Sequence, residues 1–254
     1  MTRSNSGTNA WRNQPRYDLT WRTSDMKRVR GSRSMPEIPM NWHELQQNIR
    51  RCTKCTDEGC NGIRCPDGRV PSAAPRNVKL LFVSEAPPLN TKSYFYYEDA
   101  PDRLRHRLFG ILGEMGYEIR SIRDFIDAGF YLLPTVKCPS AREGRNAAPR
   151  ERVIKRCAAE HLKREIEYIK PDSLCLLGRT ALLGFLWLRT LWEVPDRGAC
   201  AVGKRVAEAA GSVITVRILD KDVAVIPSYW PTRRHRRYQD IHEHIRISVE
   251  QLHE

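Results

Sequence analysis

From Lys79 onward the chain alternates short apolar runs with amphipathic stretches, and this alternation restricts its fold more than any other feature. "KLLFVS", "GFYLLPTV", "DSLCLLG", "SVITVRIL" and "KDVAVIPS" have strand length and are bounded by turn-forming residues. Between them, "DRLRHRLFGILGEMG" sets Leu104, Leu108, Ile111, Leu112 and Met115 on one helical face and stops at Gly116. "APRERVIKRCAAEHLKREIEYIKP" reads as a long helix, "RTALLGFLWL" as a shorter apolar one and "YQDIHEHIRISVEQL" as a closing helix. Strands that are apolar throughout must be covered on both faces. The pattern therefore predicts an α/β three-layer sandwich around a central, mainly parallel four-stranded sheet. The last two runs are expected to pair through a tight turn at Asp220 to Asp222. Ligands of such sheets bind outside the carboxyl ends of the strands. Glu85, Pro134 and Ser228 fall at or near such ends and are predicted to line that mouth.

Residues 1–39 are polar and arginine-rich, with no apolar period. They read as a disordered basic tail, either a nucleic-acid-binding arm or an inert extension. A helix is expected across "EIPMNWHELQQNIRRC", where Trp42, Leu45 and Ile49 recur at helical spacing. Residues 40–254 are read as one domain. The chain carries 43 Lys+Arg against 30 Asp+Glu, a formal charge of +13, which points to a polyanionic partner, most often nucleic acid. No run approaches the roughly 20 apolar residues of a membrane span, and the N-terminus lacks the apolar core of a secretory signal. A cytoplasmic, monomeric protein without a membrane partner is expected.

In a reducing compartment, eight cysteines point to metal rather than to disulfides. Two ligand sets compete. Cys52, Cys55, Cys60 and Cys65 have the spacing C-x2-C-x4-C-x4-C, which suits a small zinc knuckle and is the set that spacing alone favours. Cys52, Cys55, Cys138 and Cys157 form a distributed set of four thiolates suited to a [4Fe–4S] cluster, which would staple the N-terminal loop to the sheet. A third reading has no metal. Cys175, inside "LCLLG", is expected in the core, and Cys200 shows no evident role.

The order of blocks resembles the uracil-DNA glycosylase superfamily, and within it the iron–sulfur proteins of family 4. The match is carried by "NIRRCTKC", "FVSEAPP", "LFGILGEMG", "LPTVKC" with "IKRCAAEHL", "IKPDSLCLLGRTA" and "IPSYWPTRRHRRY", in that order, over roughly residues 42–250. The resemblance implies a DNA base-excision fold. It also implies a structural [4Fe–4S] cluster on Cys52, Cys55, Cys138 and Cys157, with Cys60 and Cys65 left over. The departures fall in the pocket. Ser84 and Pro88 replace the glycines of a GEAPG-like turn, Pro134 stands at the base-reading Asn, and Ile226 at the histidine of an HPS block. Glu98 and Asp99 come later than the acidic pair that usually follows the turn.

Cleaving an N-glycosidic bond builds positive charge on the sugar and negative charge on the leaving base. A carboxylate near the sugar stabilises the first and orients water. Glu85 is the catalytic candidate, with Asp99 and Glu98 in reserve; the competing reading of Glu85 is a structural carboxylate satisfied by its own turn. Ser84, Ala86, Pro87, Pro134, Ile226 and Ser228 are the expected pocket. Phe95, from "SYFYY", is the expected stacking partner for an extruded base. Tyr229, Trp230, Arg233, Arg234, His235, Arg236 and Arg237 form an expected DNA-binding loop, with phosphate contacts and an apolar wedge. "PSAREGRNAAPR" is a second phosphate-contact candidate. With both usual polar pocket residues replaced, the resemblance implies excision of a damaged or modified base rather than plain uracil, such as a deaminated purine. A modified pyrimidine of phage DNA, excised in defence, would also suit such a pocket. The alternative is a glycosylase-fold DNA-binding protein without catalysis.

Overall fold

The computed structural model describes residues 41–55, 70–71, 73–90, 93–99, 101–142, 145–192, 205–232 and 236–252. The expected tail at 1–39, together with Cys60, Cys65, Cys200, Arg233, Arg234 and His235, lies outside them. In chain order the elements begin with α1 (Trp42–Arg51), β1 (Leu80–Ser84), α2 (Arg103–Glu114), α3 (Ile122–Asp127) and β2 (Phe130–Pro134). A small hairpin of β3 (Ala141–Arg142) and β4 (Arg145–Asn146) follows. Next come α4 (Glu151–Cys157), a π-helical turn (Ala158–Leu162), α5 (Lys163–Ile169), β5 (Ser173–Leu177) and α6 (Arg179–Leu188). The chain closes with α7 (Val206–Ala209), β6 (Ile214–Ile218), β7 (Lys221–Ser228) and α8 (Tyr238–Glu250).

The fold is the expected α/β sandwich, but the sheet has five strands rather than four, in the order β2-β1-β5-β7-β6. The first four run parallel, and β6 adds to the edge antiparallel to β7. Strands β1, β2 and β5 are buried along their whole length, as strands covered on both faces must be. The edge strand β6 instead alternates buried and open positions, so its weaker pattern still suffices for one covered face. The β6–β7 turn is Leu219–Asp220, closed by the pair Ile218 and Lys221, one residue earlier than Asp220–Asp222. Leu219 takes a left-handed backbone there (φ 56°), an unusual conformation for a bulky residue.

Local signals account for the starts of the first three helices. Asn41 and Glu44 form a capping box at the start of α1, and Ser121 and Asp124 do the same for α3. Asp102 caps α2 by accepting the Arg105 N–H at 2.7 Å. Helix α3 is absent from the sequence reading because six residues hold too few repeats to show a period. The long helix expected after Cys138 forms, but as α4 and α5 joined by the π turn, a rare feature that recurs at functional positions.

Where the candidate functional side chains meet

Strand order reverses at β1: the chain steps from β1 out to β2, then crosses back to β5 on the other side of β1. The crevice outside the carboxyl ends of β1 and β5 is therefore the topological switch point, where open α/β sheets bind ligands. Glu85 leaves β1 at this point, and Gly178 to Thr180 leave β5 to open α6. The two meet: Thr180 Oγ1 donates to Glu85 Oε2 at 2.8 Å. The carboxylate is half-buried at the N-terminal turn of α6, where unpaired N–H groups make the potential positive. Gly178, the N-cap of α6, supplies no side-chain cap. Glu85 is thus oriented from the start of α6 rather than by its own turn.

The β2 side of the mouth is held as firmly. Thr135 donates to the Ser84 carbonyl through both its amide (2.8 Å) and its hydroxyl (2.7 Å). The Val136 amide donates to the Glu85 carbonyl at 3.0 Å. Ser84 and Pro134 are cross-strand neighbours, both buried. Gly184 on α6 faces Thr135 so closely that a Cβ there would collide with the threonine methyl; only glycine lets the helix settle on this turn. Pro87 is buried, while Ala86 packs against Val136, Val153, Ile154 and Cys157. The Leu89 amide donates to Asn146 Oδ1 at 2.8 Å, which brings the β3–β4 hairpin of "PSAREGRNAAPR" against the Glu85 turn.

On the β7 side, Ser228 is fully buried and shares a 3.2 Å hydrogen bond with His244 Nδ1. Burial holds the His244 pKa below the ordinary histidine value. Tyr229 is buried too, its ring 5.9 Å from His244 and beneath the Arg237 guanidinium at 5.7 Å. Trp230 is 37% exposed and is the aromatic of this loop that reaches solvent among the described residues. Its Cβ stands over Gly178, whose φ of 85° again requires glycine. Arg236 and Arg237 are exposed. Arg107 of α2 donates to the Pro231 carbonyl at 2.7 Å, so the loop is braced from α2.

Three expected site residues stand apart from the mouth: the stacking candidate Phe95, the pocket candidate Ile226 and the reserve carboxylate Asp99. Phe95 packs edge-on against Tyr96, Phe109 and Phe125, with ring centres 5.2, 6.2 and 5.3 Å apart. Tyr94, Phe95 and Tyr96 are each 3% exposed, so three of the four rings in "SYFYY" are core and the stacking assignment of Phe95 is corrected. Ile226 is fully buried inside β7, two residues short of the strand end. Asp99 is exposed and, among the described residues, makes no hydrogen bond to the Glu85 turn. Arg105 clamps the segment between them by donating to the carbonyls of Phe95, Tyr97 and Glu98.

A second constellation lies behind β2. Cys157 is buried, its sulfur accepts the Lys137 N–H at 3.2 Å, and burial pushes its thiol well above the ordinary cysteine range. Cys55 and Cys138 lie near enough for their charges to raise it further. Cys52 is the C-cap of α1, three residues before Cys55. None of these cysteines is in a disulfide. Among the described residues no three His, Cys, Asp or Glu side chains are gathered as one metal ion requires. The four thiols come from three places, the end of α1, the turn after β2 and α4, and one receives an N–H···S bond; an all-sulfur donor set of this chemistry is the kind that holds an iron–sulfur cluster. Beside them, buried Lys137 donates to the Pro134 carbonyl at 2.6 Å and pairs with buried Glu165, whose other oxygen accepts from Gln46 of α1 at 3.0 Å. His161, in the π turn, is also buried, which depresses its pKa to about 4.

Sequence reasoning missed Thr180, Lys137, Glu165 and Arg107. Thr180 and Lys137 stood in recognised blocks, "LGRTA" and "TVKC", but a sequence does not show which carboxylate or carbonyl they meet. Among the described residues no helix is long and apolar enough to cross a membrane. Residues 71–252 match the family model described as the uracil DNA glycosylase superfamily. No curated protein matches the chain. The match spans all five strands of the central sheet and the mouth that holds Glu85, and the chain belongs to the uracil DNA glycosylase superfamily.

Proposed function

We propose that this protein is a DNA glycosylase that extrudes a nucleotide and hydrolyses its N-glycosidic bond, and that its base is damaged or modified rather than plain uracil. The observation that carries this reading is Glu85 at the switch point, half-buried and oriented by Thr180. In the reaction the C1′–N bond breaks and the base leaves with the bonding electrons. Water adds to C1′, and the proton it loses passes through solvent to the departing base anion. A fixed carboxylate beside C1′ stabilises the oxocarbenium-like sugar and orients that water. Pro134, at the mouth, offers no side-chain hydrogen bond to a base edge, and Ile226 keeps its side chain inside β7; a pocket without such bonds discriminates far less well than one built on them. A panel of duplexes carrying uracil, hypoxanthine, xanthine or glucosylated hydroxymethylcytosine, assayed for abasic sites, tests this. Uracil release should be weak or absent, and release of one of the other bases is expected; rapid uracil release would overturn the altered-pocket reading.

The hydrogen bond from Thr180 also suits a carboxylate kept only to stabilise α6, so a DNA-binding protein without catalysis is the second reading. Tight duplex binding with no base released from any member of a wide panel would favour it.

The proposal includes a [4Fe–4S] cluster on Cys52, Cys55, Cys138 and Cys157, with zinc on a set including Cys60 and Cys65 as the alternative. When bound, the cluster supplies a structural cross-link between the end of α1, the turn after β2 and α4. Protein purified without oxygen should be brown with about four irons per chain. Cys138→Ser should bleach it and Cys175→Ala should not. Stoichiometric zinc without iron would overturn the distributed set.

A further inference from the structure

A basic groove of about 720 Å³ runs along the first turns of α2, away from the crevice at Glu85. Arg103, Arg105, His106, Arg107 and Arg120 line it against two acids, Glu98 and Asp102. Asp102 is engaged as the cap of α2, and Arg105 is engaged with the 95–98 carbonyls. Arg103 and His106 are exposed, and their side chains make no hydrogen bond or ion pair among the described residues. Among the described residues the Arg120 guanidinium forms one ion pair, with Glu118 at 3.6 Å and both side chains more than 80% exposed, while its backbone amide donates to Asp124 Oδ2 at 3.0 Å; an exposed pair of this kind does little to hold the guanidinium in place. The groove is continuous with the loop after β7, because Arg107 bonds the Pro231 carbonyl.

The helix carries a second sign of a close partner. Helical spacing puts Gly110 on the same face as Arg103 and Arg107, next along the axis. Glycine is a poor helix former, and here neither tight packing nor a positive φ accounts for it: a Cβ at Gly110 would meet nothing within 4 Å. The position is open, flat and exposed, directly beyond a row of cations.

We propose that the α2 face from Arg103 to Gly110 is a second DNA contact. It would hold the sugar–phosphate backbone flanking the extruded nucleotide, with Arg103 and Arg120 on phosphates and Gly110 allowing the backbone to approach. This rests on the DNA-acting reading above, and extends it to a surface outside the crevice and the 229–237 loop. Such contacts set affinity and register but carry no base specificity. They release counterions, so each contributes about 0.9 to the slope of log affinity against log salt.

Binding of the full-length protein to an unmodified duplex, measured across a salt series, tests the groove without reference to catalysis. Arg103→Ala with Arg120→Ala should reduce the slope by about 1.8, two contacts at about 0.9 each. Gly110→Leu should keep or raise the melting temperature, since leucine favours helix, yet weaken duplex binding at least fivefold. An unchanged slope in the arginine variant, or unchanged affinity in a folded Gly110→Leu protein, overturns the groove. If Arg236→Ala with Arg237→Ala still lowers the slope in those circumstances, the DNA-acting reading survives alone. Failure of the wild-type protein to bind any duplex at low salt would overturn both.

Discussion

Glu85→Gln is expected to slow base release by about two to three orders of magnitude, the usual cost of removing one preorganised electrostatic partner of a transition state. Glutamine keeps the length of the side chain and an oxygen that accepts from Thr180, so α6 keeps its partner and the fold is retained. What disappears is the negative charge facing the sugar at the switch point. The effect should therefore appear in the single-turnover rate, with little change in duplex affinity or unfolding midpoint. Thr180→Val makes the complementary test. It leaves the charge and removes the bond that aims it, and it should cost less than the loss of the charge. Equal rates for Glu85→Gln and wild type would remove Glu85 from the mechanism. Asp99 is then a weak successor, because it lies exposed beyond the Arg105 clamp.

Glu165→Leu is expected to destabilise the fold by about 3–5 kcal/mol, the typical cost of leaving one member of a buried ion pair without its partner. The side chains of Lys137 and Glu165 are 5% and 1% exposed, so water does not replace a lost partner. The ammonium would keep only the Pro134 carbonyl, and Gln46 would lose its acceptor. Replacing both charges, Lys137→Met with Glu165→Leu, should be milder than the single change, because apolar side chains of similar size need no partner. Urea unfolding of the three proteins measures the difference. A loss under about 1 kcal/mol for Glu165→Leu would show that the pair is hydrated after all. The network joins α1, which ends at its C-cap Cys52, to the carbonyl of Pro134 at the mouth of the sheet.

The strands and helices that build the sheet were legible because burial imposes a period on sequence. "LLFVS", "FYLLP" and "SLCLL" are apolar throughout since both faces are covered, and α2 repeats its apolar residues every three to four positions. The mouth was legible too, since strand ends locate it. Three things were hidden. Phe95 looked like a stacking platform because an aromatic run reads the same in a pocket and in a core; only the nearness of Phe109 and Phe125 decides between them. The β6–β7 hairpin was read from its tight turn, yet its place in the sheet depends on β7 pairing with β5, a non-local choice. Partners such as Thr180 for Glu85, or Glu165 for Lys137, are separated by many residues in sequence and leave no periodic trace.

The absent side chain at Gly184 bears on how such a scaffold diversifies. Helix α6 rests directly on Thr135, and Thr135 is doubly bonded to the Ser84 carbonyl, so helix and turn have no slack between them. A larger residue at either position would push the start of α6, and with it Thr180, away from Glu85. Reshaping this floor with larger side chains to suit a new base would therefore misalign the carboxylate at the same time. Innovation in base choice is channelled instead into the walls: the 86–90 turn, the β3–β4 hairpin that leans on it, and the segment after β7. Retargeting by design should leave Gly184 and Thr135 untouched and draw its diversity from those walls.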